Sequence, residues 1–275
     1  MNFETQNDRL QWIIQELCND STDYKDLKVR REDRRKIMRS LMNIRMPKPV
    51  SKEFLKIQDE FLKQESIEKG IKKLDNIPTI KEEYHSNRPF ADKISIWKGD
   101  ITRLQVDAIV NAANSQMLGC FVPCHGCIDN AIHSAAGIQL REECSQYMQS
   151  KRNENRNYEE PTGKAILTQA YNLPCRYVLH TVGPIVTNQL NDALREDLRS
   201  CYRSCMDVAI KHELRSIAFC CISTGEFRFP NDEAAKIAIE VIEDKLYEFP
   251  DKIDRIIFNV FKDIDLELYV KEILE

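Results

Sequence analysis

The chain has 275 residues, of which 42% are hydrophobic and 31% are charged, and its formal net charge is −4. This length exceeds the usual domain size of about 100–150 residues, so one or two domains are expected. The small net charge gives no reason to expect a nucleic-acid partner, and no apolar run approaches the roughly 20 residues that cross a membrane. The first residues do not resemble a signal peptide, so a cytoplasmic location is predicted.

Residues 1–90 are predicted to form an N-terminal helical region and linker. Apolar residues recur there at helical spacing, which indicates three or four helices. The segment Met46–Pro49 should end the second helix because it holds two prolines, and Ser51 should cap the next one. An irregular linker is expected over residues 70–92. The basic stretch at residues 28–39 is interpreted as a solvated helix face, with a docking surface for an acidic partner as the alternative.

Residues 91–275 alternate short β-branched runs with longer amphipathic ones. The predicted strands are Ile94–Trp97, Ala108–Asn111, Ala165–Gln169, Tyr177–Thr181, Ile217–Ile222 and Arg255–Val260. The predicted helices are Asp129–Met148, Leu190–His212, Asp232–Tyr247 and Asp265–Leu274. This alternation implies a largely parallel or mixed sheet that is covered by helices on both faces. Ligands of such sheets bind at the loops beyond the carboxyl ends of the strands.

Four segments at or beyond strand ends hold small or polar residues and could line one cleft. They are Gly99–Thr102, Asn111–Asn114, Gly119–Asn130 and Ser223–Phe227. The carboxylate of Asp100 can accept from an exocyclic amine, and the amides of Asn111 and Asn114 suit sugar hydroxyls. Gly225 lets backbone amides approach an anion, to which the helix near Asp232 adds its positive end. Any one of these segments alone is more typical of ordinary turn chemistry.

In their joint order, however, these segments resemble the macrodomain family. The matching stretches, between about Lys93 and Phe261, are GDIT (Gly99–Thr102), VDAIVNAAN (Val106–Asn114), DNAIHSAAG (Asp129–Gly137), TGKAILTQAYNLPCRYVLHTVGP (Thr162–Pro184) and ISTGEFRFP (Ile222–Pro230). The resemblance implies a three-layer α/β/α sandwich with a mixed central sheet, here preceded by the N-terminal helical region. It also implies a cleft that binds ADP-ribose.

The resemblance assigns the parts of ADP-ribose to particular residues. Asp100 and Ile101 would meet the adenine, and Asn114, together with Asn111, would face the distal ribose. Asp129 would lie near the scissile anomeric carbon, so Asp129 and Asn114 are the predicted catalytic residues. The diphosphate would be held by Ser223, Thr224, Gly225, Glu226 and Phe227. Glu226 departs from the apolar residue that is frequent in the family, and it is interpreted as solvent-facing, with a distal-ribose contact as the alternative.

The ten cysteines do not suggest a disulfide framework, because such frameworks belong mainly to small secreted proteins. Most of them lie in or beside apolar segments, where a reduced cysteine packs as a small hydrophobe. Cys120, Cys124, His125 and Cys127 instead share one loop, and thiolate and imidazole are donors that zinc prefers. A redox-active pair and simple packing under the loop are the alternatives. His133 and His180 are interpreted as packed structural histidines, with a metal-ligand role as the alternative for His133.

The loop sequence GCFVPCHGCIDN replaces the run of glycines found in many hydrolytic macrodomains. It resembles the zinc-containing, MacroD-like macrodomains of bacteria and some microbial eukaryotes, which also carry an extra N-terminal helical region. That resemblance assigns the zinc ligands to Cys120, His125 and Cys127 and leaves Cys124 aside. Three protein ligands leave one coordination position open, as in catalytic zinc sites.

The function implied by this resemblance is zinc-dependent hydrolysis of mono-ADP-ribose from modified, acidic protein side chains. Zinc would hold the distal ribose or an ester oxygen while Asp129 orients or deprotonates a water molecule. A non-catalytic ADP-ribose-binding module and an O-acetyl-ADP-ribose deacetylase are the alternatives. The partners implied are an ADP-ribosylated protein as substrate, ADP-ribose as product, a sirtuin-like ADP-ribosyltransferase and a lipoyl-carrier protein.

Overall fold

The computed structural model describes residues 3–274 and begins with three helices. These are α1 (Gln6–Asn19), α2 (Arg34–Ile44) and α3 (Lys52–Lys69). The end of α2 falls just before the proline pair, as predicted. The hydroxyl of Ser51 accepts a hydrogen bond from the amide of Phe54 at 3.0 Å, so the predicted cap of α3 is confirmed.

These three helices bury their apolar faces against one another in a cluster of their own. Its fully buried members include Ile13, Met38 and Ile57. Burial of each such side chain contributes about 1.5–3 kcal/mol to the free energy of folding. Polar contacts then join the helices to the rest of the molecule. For example, the side chain of Gln58 accepts from the amide of Ile138 at 3.1 Å. The N-terminal region therefore has a separate core, and its junction with the sheet domain combines polar contacts with the packing of Ile138.

The prediction of an irregular segment over residues 70–92 is wrong in two places. Strand β1 (Lys72–Lys73) pairs in parallel with β3 (Leu104–Gln105). A short helix, α4 (Ile80–Tyr84), follows, and it begins with a capping box between Thr79 and Glu82. Its Ile80 packs in the core of the sheet domain. The domain boundary near residue 90 stays a prediction.

A six-stranded mixed sheet forms the centre of the second part, as predicted. Its strands are β2 (Ile94–Lys98), β4 (Ala108–Ala113), β5 (Ala165–Gln169), β6 (Tyr177–Val182), β7 (Ser216–Phe219) and β8 (Arg255–Val260). The order is β2-β8-β7-β4-β6-β5, and all neighbours are parallel except β5 and β6. Strand β7 ends before the predicted Ile222, because the carbonyl of Cys221 turns to accept from the amide and hydroxyl of Thr224.

Helices cover the sheet in two layers. They are α5 (Ile128–Ala136), α6 (Ile138–Glu154), α7 (Asp192–Lys211), α8 (Asn231–Glu248) and α9 (Asp263–Leu274). Helices α7, α8 and α9 pack side by side, while α5 packs on α6 and β4. The single helix predicted over Asp129–Met148 is wrong, because Gly137 adopts φ 98° and breaks it into α5 and α6. Within residues 3–274, no helix is both long and apolar enough to span a membrane.

Candidate active site

The predicted site segments meet at one edge of the sheet, because the strands that carry them are parallel and end there. Asp100 follows β2, Asn114 follows β4, and Ser223 lies four residues beyond the end of β7. Phe261 also lies at this edge, although the sequence pattern did not single it out. It follows β8 directly, is 72% exposed, and adjoins Gly99, whose amide donates to the carbonyl of Val260 at 3.0 Å. An aromatic residue immediately after a predicted strand was the signal that could have found it.

Asp129 lies in the first turn of α5 and is only 5% exposed. Its Oδ1 accepts from the side-chain amide of Asn111 at 2.8 Å, and its Oδ2 accepts from that of Asn114 at 3.3 Å. Burial raises the pKa of Asp129 to about 6, and the two asparagine hydrogen bonds oppose that rise. The result is an oriented carboxylate that is more basic than an exposed one.

Asn111 lies behind Asp129 and is fully buried. Its amide nitrogen is also 3.1 Å from Nδ1 of His180, whose Nε2 is 2.9 Å from the hydroxyl of Thr168. Because Asn111 donates to Nδ1, the proton of His180 resides on Nε2. Asn111 thus fixes the orientation of the Asp129 carboxylate through this hydrogen bond. A contact of Asn111 with a sugar stays a prediction.

His133 and His180 both have packed positions, as predicted, but they differ in their hydrogen bonds. The two ring nitrogens of His133 have no hydrogen-bond partner among the described residues, although Nε2 lies 3.5 Å from Oδ1 of Asp129. Burial lowers the pKa of His180 to about 3 and lowers that of His133 well below its usual value. Both rings are therefore neutral in the folded protein.

Because these rings are buried in their neutral form, we expect the free energy of unfolding to fall in acid. The folded-state pKa of His180 lies below its unfolded value of about 6.5, so stability is full above that value and falls as the pH drops towards 3. Between pH 7.5 and pH 5, His180 alone should cost about 2 kcal/mol of unfolding free energy. Denaturant titrations at the two pH values should show this loss reduced in His180→Gln. The exposed His212 provides the control, since His212→Gln should keep the wild-type loss.

The predicted metal ligands converge in the loop between β4 and α5. The donor atoms of Cys120, His125 and Cys127 all lie within 4.8 Å of one another, and Sγ of Cys120 is 3.7 Å from Nδ1 of His125. Bond lengths of about 2.3 Å to sulfur and 2.0–2.1 Å to nitrogen put two tetrahedral zinc ligands about 3.6 Å apart. The donor types and their spacing therefore fit zinc.

Cys124, which was predicted to stand aside, turns away from this group. Its Sγ lies 3.2 Å from the hydroxyl of Ser40 and 3.4 Å from the carbonyl of Lys36, both in α2.

Burial raises the pKa of Cys127 to about 12, so this thiol keeps its proton at neutral pH unless a cation displaces it.

Glu226 lies between the segment Ser223–Phe227, to which it belongs, and the loop that holds the predicted metal ligands. Its side chain is 72% exposed, which agrees with the solvent-facing interpretation, and its Oε1 lies 3.6 Å from Nε2 of His125. The other nitrogen of that ring faces Cys120. A ligating histidine commonly has a carboxylate at its second nitrogen, which fixes the orientation of the ring. Glu226 lies on that side of the His125 ring, at a distance longer than a hydrogen bond.

The segment Ser223–Phe227 presents unused backbone donors. Within residues 3–274, the amides of Gly225, Glu226 and Phe227 donate no hydrogen bond to the protein. A Cβ added at Gly225 would meet no atom within 4 Å. Ser223 adopts a left-handed conformation with φ 66°, and its carbonyl accepts from the amide of Phe229 at 3.0 Å. The open space and the free amides suit an anion.

Asp100 and Ile101 lie at the other end of this edge. Oδ1 of Asp100 accepts from the amide of Thr102 at 3.0 Å and from its hydroxyl at 2.7 Å. Ile101 is buried beneath this turn. One carboxylate oxygen thus shapes the turn, and the adenine contacts of both residues stay predictions.

A three-layer sandwich with free backbone amides at its strand ends belongs to the class of α/β proteins that bind ligands at that edge. Residues 110–238 match the family model described as Macro domain. The chain is 46% identical, over 97% of its length and 98% of the relative's, to a protein-ADP-ribose hydrolase of Treponema medium. It is 42% identical, over 95% of its length and 93% of the relative's, to a protein-ADP-ribose hydrolase of Staphylococcus aureus strain MSSA476.

A solved structure agrees with these relatives. The Trypanosoma brucei macrodomain in complex with ADP-ribose superposes with a TM-score of 0.63 at 31% identity, covering 85% of this chain and 94% of that one. The chain therefore belongs to the macrodomain family, in its MacroD-like part.

Proposed function

We propose that the chain is a zinc-dependent protein-ADP-ribose hydrolase that removes mono-ADP-ribose from modified acidic side chains. The observation that carries this proposal is the position of Asp129, two residues beyond the metal donor Cys127 and held by two asparagine amides. A module that only bound ADP-ribose would need neither the oriented carboxylate nor the donor cluster. The hydrolases of Treponema medium and Staphylococcus aureus, which are similar over nearly the whole chain, support the proposal.

The substrate would lie along the strand ends in one direction. The adenine would sit by Asp100 and Ile101, with the exposed ring of Phe261 available for stacking. The diphosphate would accept from the free amides of Gly225–Phe227, near the positive end of α8. This order brings the distal ribose to Asn114 and its anomeric carbon to Asp129.

The reaction is the hydrolysis of an ester between C1″ of the distal ribose and a side-chain carboxylate. Water attacks either C1″ or the ester carbonyl, the carbon–oxygen bond breaks, and ADP-ribose and the free carboxylic acid are released. Asp129 orients the water and accepts its proton, a role that is typically worth about 10²–10⁴-fold in rate. Asn114 keeps the carboxylate of Asp129 at the distal ribose.

Cys120, His125 and Cys127 would hold the zinc, and Glu226 would orient the imidazole of His125. When bound there, zinc would supply Lewis acidity at the distal end of the substrate.

A competition assay tests this proposal against its two alternatives. The zinc-loaded protein is given a labelled ADP-ribosylated protein and O-acetyl-ADP-ribose together, with and without a chelator. We expect preferential release of ADP-ribose from the protein and loss of that release after chelation. Preference for the acetyl ester would favour the deacetylase. Binding of ADP-ribose without turnover of either ester would favour the binding module.

Gly225→Val should weaken ADP-ribose binding by at least about tenfold, because its side chain would fill the open space beside the diphosphate amides. The melting temperature should barely change, since no protein atom lies within 4 Å of the added Cβ. Calorimetric titration with ADP-ribose measures the first effect and thermal denaturation measures the second. Unchanged affinity would show that the diphosphate lies elsewhere.

The partners proposed on the resemblance alone are a sirtuin-like ADP-ribosyltransferase and a lipoyl-carrier protein. A carrier modified by such a transferase should release ADP-ribose faster than an unrelated modified protein. Equal rates on both would remove this assignment.

A further inference from the structure

We infer that α2 of the N-terminal helical region is part of the metal site, and that its Arg39 and Asn43 are positioning residues for the metal loop. The metal loop is defined here as residues 119–127. The inference rests on the proposed binding of zinc by Cys120, His125 and Cys127. It assigns a role to a region that contributes none of the predicted site residues.

Arg39 ties the second half of the metal loop to α5. Its Nη2 donates to the backbone carbonyl of His125 at 3.0 Å and to the side-chain oxygen of Asn130 at 2.6 Å. Its Nε donates to the same Asn130 oxygen at 3.0 Å. Asn130 is fully buried, and its amide donates to the carbonyl of Val122 at 2.9 Å. One guanidinium thus fixes the loop and the residue after Asp129 together, through charge-assisted hydrogen bonds.

Asn43 holds the bend of the metal loop. It is 1% exposed, accepts from the amide of Cys124 at 2.9 Å and donates to the hydroxyl of Ser134 at 3.0 Å. Cys124 has φ 52°, a left-handed conformation that costs a residue with a side chain about 1–3 kcal/mol. That bend lies between Cys120 and His125, and Sγ of Cys120 is 3.7 Å from Nδ1 of His125. By accepting from the amide of Cys124, Asn43 stabilises this left-handed conformation.

Arg141 of α6 completes the attachment from the other end of the loop. This buried guanidinium donates to the carbonyls of Asn43 at 2.6 Å and Arg45 at 2.8 Å, at the end of α2. It also reaches the carbonyl of Cys120 at 3.4 Å and lies 4.3 Å from the ring centre of Phe121. Both ends of the metal loop are therefore bonded, directly or through one arginine, to α2.

These contacts act on the backbone of the ligand residues and leave the donor atoms free. A loop that is already bent loses less conformational entropy when it binds an ion, so its affinity is higher. Outer partners of metal ligands typically contribute about 10–100-fold to metal affinity. We therefore expect Arg39→Ala to weaken zinc binding by about 10–100-fold.

The matched control is Arg34→Ala, which removes the same side chain from the same helix. Arg34 is also half-buried, but it donates to the side chain of Asn7 at 2.9 Å and does not touch the metal loop. If α2 acted only by stabilising the fold, both variants would change zinc affinity to the same extent.

The experiment measures zinc affinity of the full chain by competition with a chromophoric chelator, and the absorption spectrum of the cobalt-substituted protein. Arg39→Ala should show weaker binding and altered cobalt–thiolate bands, and Arg34→Ala should match the wild type in both. Arg39→Lys, which keeps the charge and one donor, should recover part of the affinity and serves if the alanine variant does not fold. Wild-type affinity and spectrum in the Arg39 variants would overturn this inference alone. A wild-type protein that binds no zinc would overturn the proposed function with it.

Discussion

Asp129→Asn should lower the rate of ADP-ribose release by about 10²–10⁴-fold, the range typical of a lost general base. Asparagine keeps the size of the side chain, but its amide has a single oxygen to accept from Asn111 and Asn114 and cannot take a proton from water. The affinity for ADP-ribose should stay within a few-fold of the wild type, because the residues proposed to bind the adenine and the diphosphate lie elsewhere. Single-turnover kinetics and calorimetric titration separate these two quantities.

Two further variants make this result interpretable. Asp129→Ala should lose as much rate as the asparagine variant, since the missing carboxylate is common to both. Asp207→Asn should retain the wild-type rate, because Asp207 is an exposed residue of α7 whose carboxylate pairs with Lys245 at 2.8 Å. Full activity in both Asp129 variants would remove this residue from the chemistry.

Cys127→Ser should abolish stoichiometric zinc binding and reduce hydrolysis in parallel. Losing one of three ligands should weaken zinc binding by more than the roughly 10–100-fold that follows from losing an outer partner. The change leaves a hydroxyl where the thiol of Cys127 accepts from the amide of Asn130 at 3.4 Å, so the cap of α5 has a replacement. Metal analysis and rate measurements on the same preparation test the parallel.

Cys124→Ser is the matched control, because it replaces a thiol of the same loop that faces Ser40 and not the donor cluster. It should bind one zinc and hydrolyse normally. If Cys127→Ser lost its zinc and kept the wild-type rate, the metal would have no part in the reaction.

The sequence predicts the sheet well because β-branched runs coincide with strands that are buried on both faces. It fails where the outcome depends on one backbone torsion. Apolar residues continue at helical spacing from Ile132 to Leu140, so the break at Gly137 is not visible in the pattern. The capping box at Thr79 was a local signal, and it was overlooked within a segment that contains prolines.

The site was predicted as a set of residues, but their orientations were not. Strand β4 is buried along almost its whole length, so alternation of polar and apolar residues cannot tell which face Asn111 takes. The link between α2 and the metal loop joins residues more than 80 positions apart, such as Arg39 and His125. The periodicity of the sequence cannot predict such a contact, because the contact depends on how the helical core packs against the sheet.

The separation of the helical core from the core of the sheet has a consequence for unfolding. The helical cluster around Ile13 and Met38 is separate from the core of the sheet, and the two are joined by polar contacts and by the packing of Ile138. A species in which the helical cluster has opened would release the backbone of His125 from Arg39. An ion bound at the metal loop would favour the closed species by mass action. The helical cluster and the sheet would then unfold together rather than one after the other.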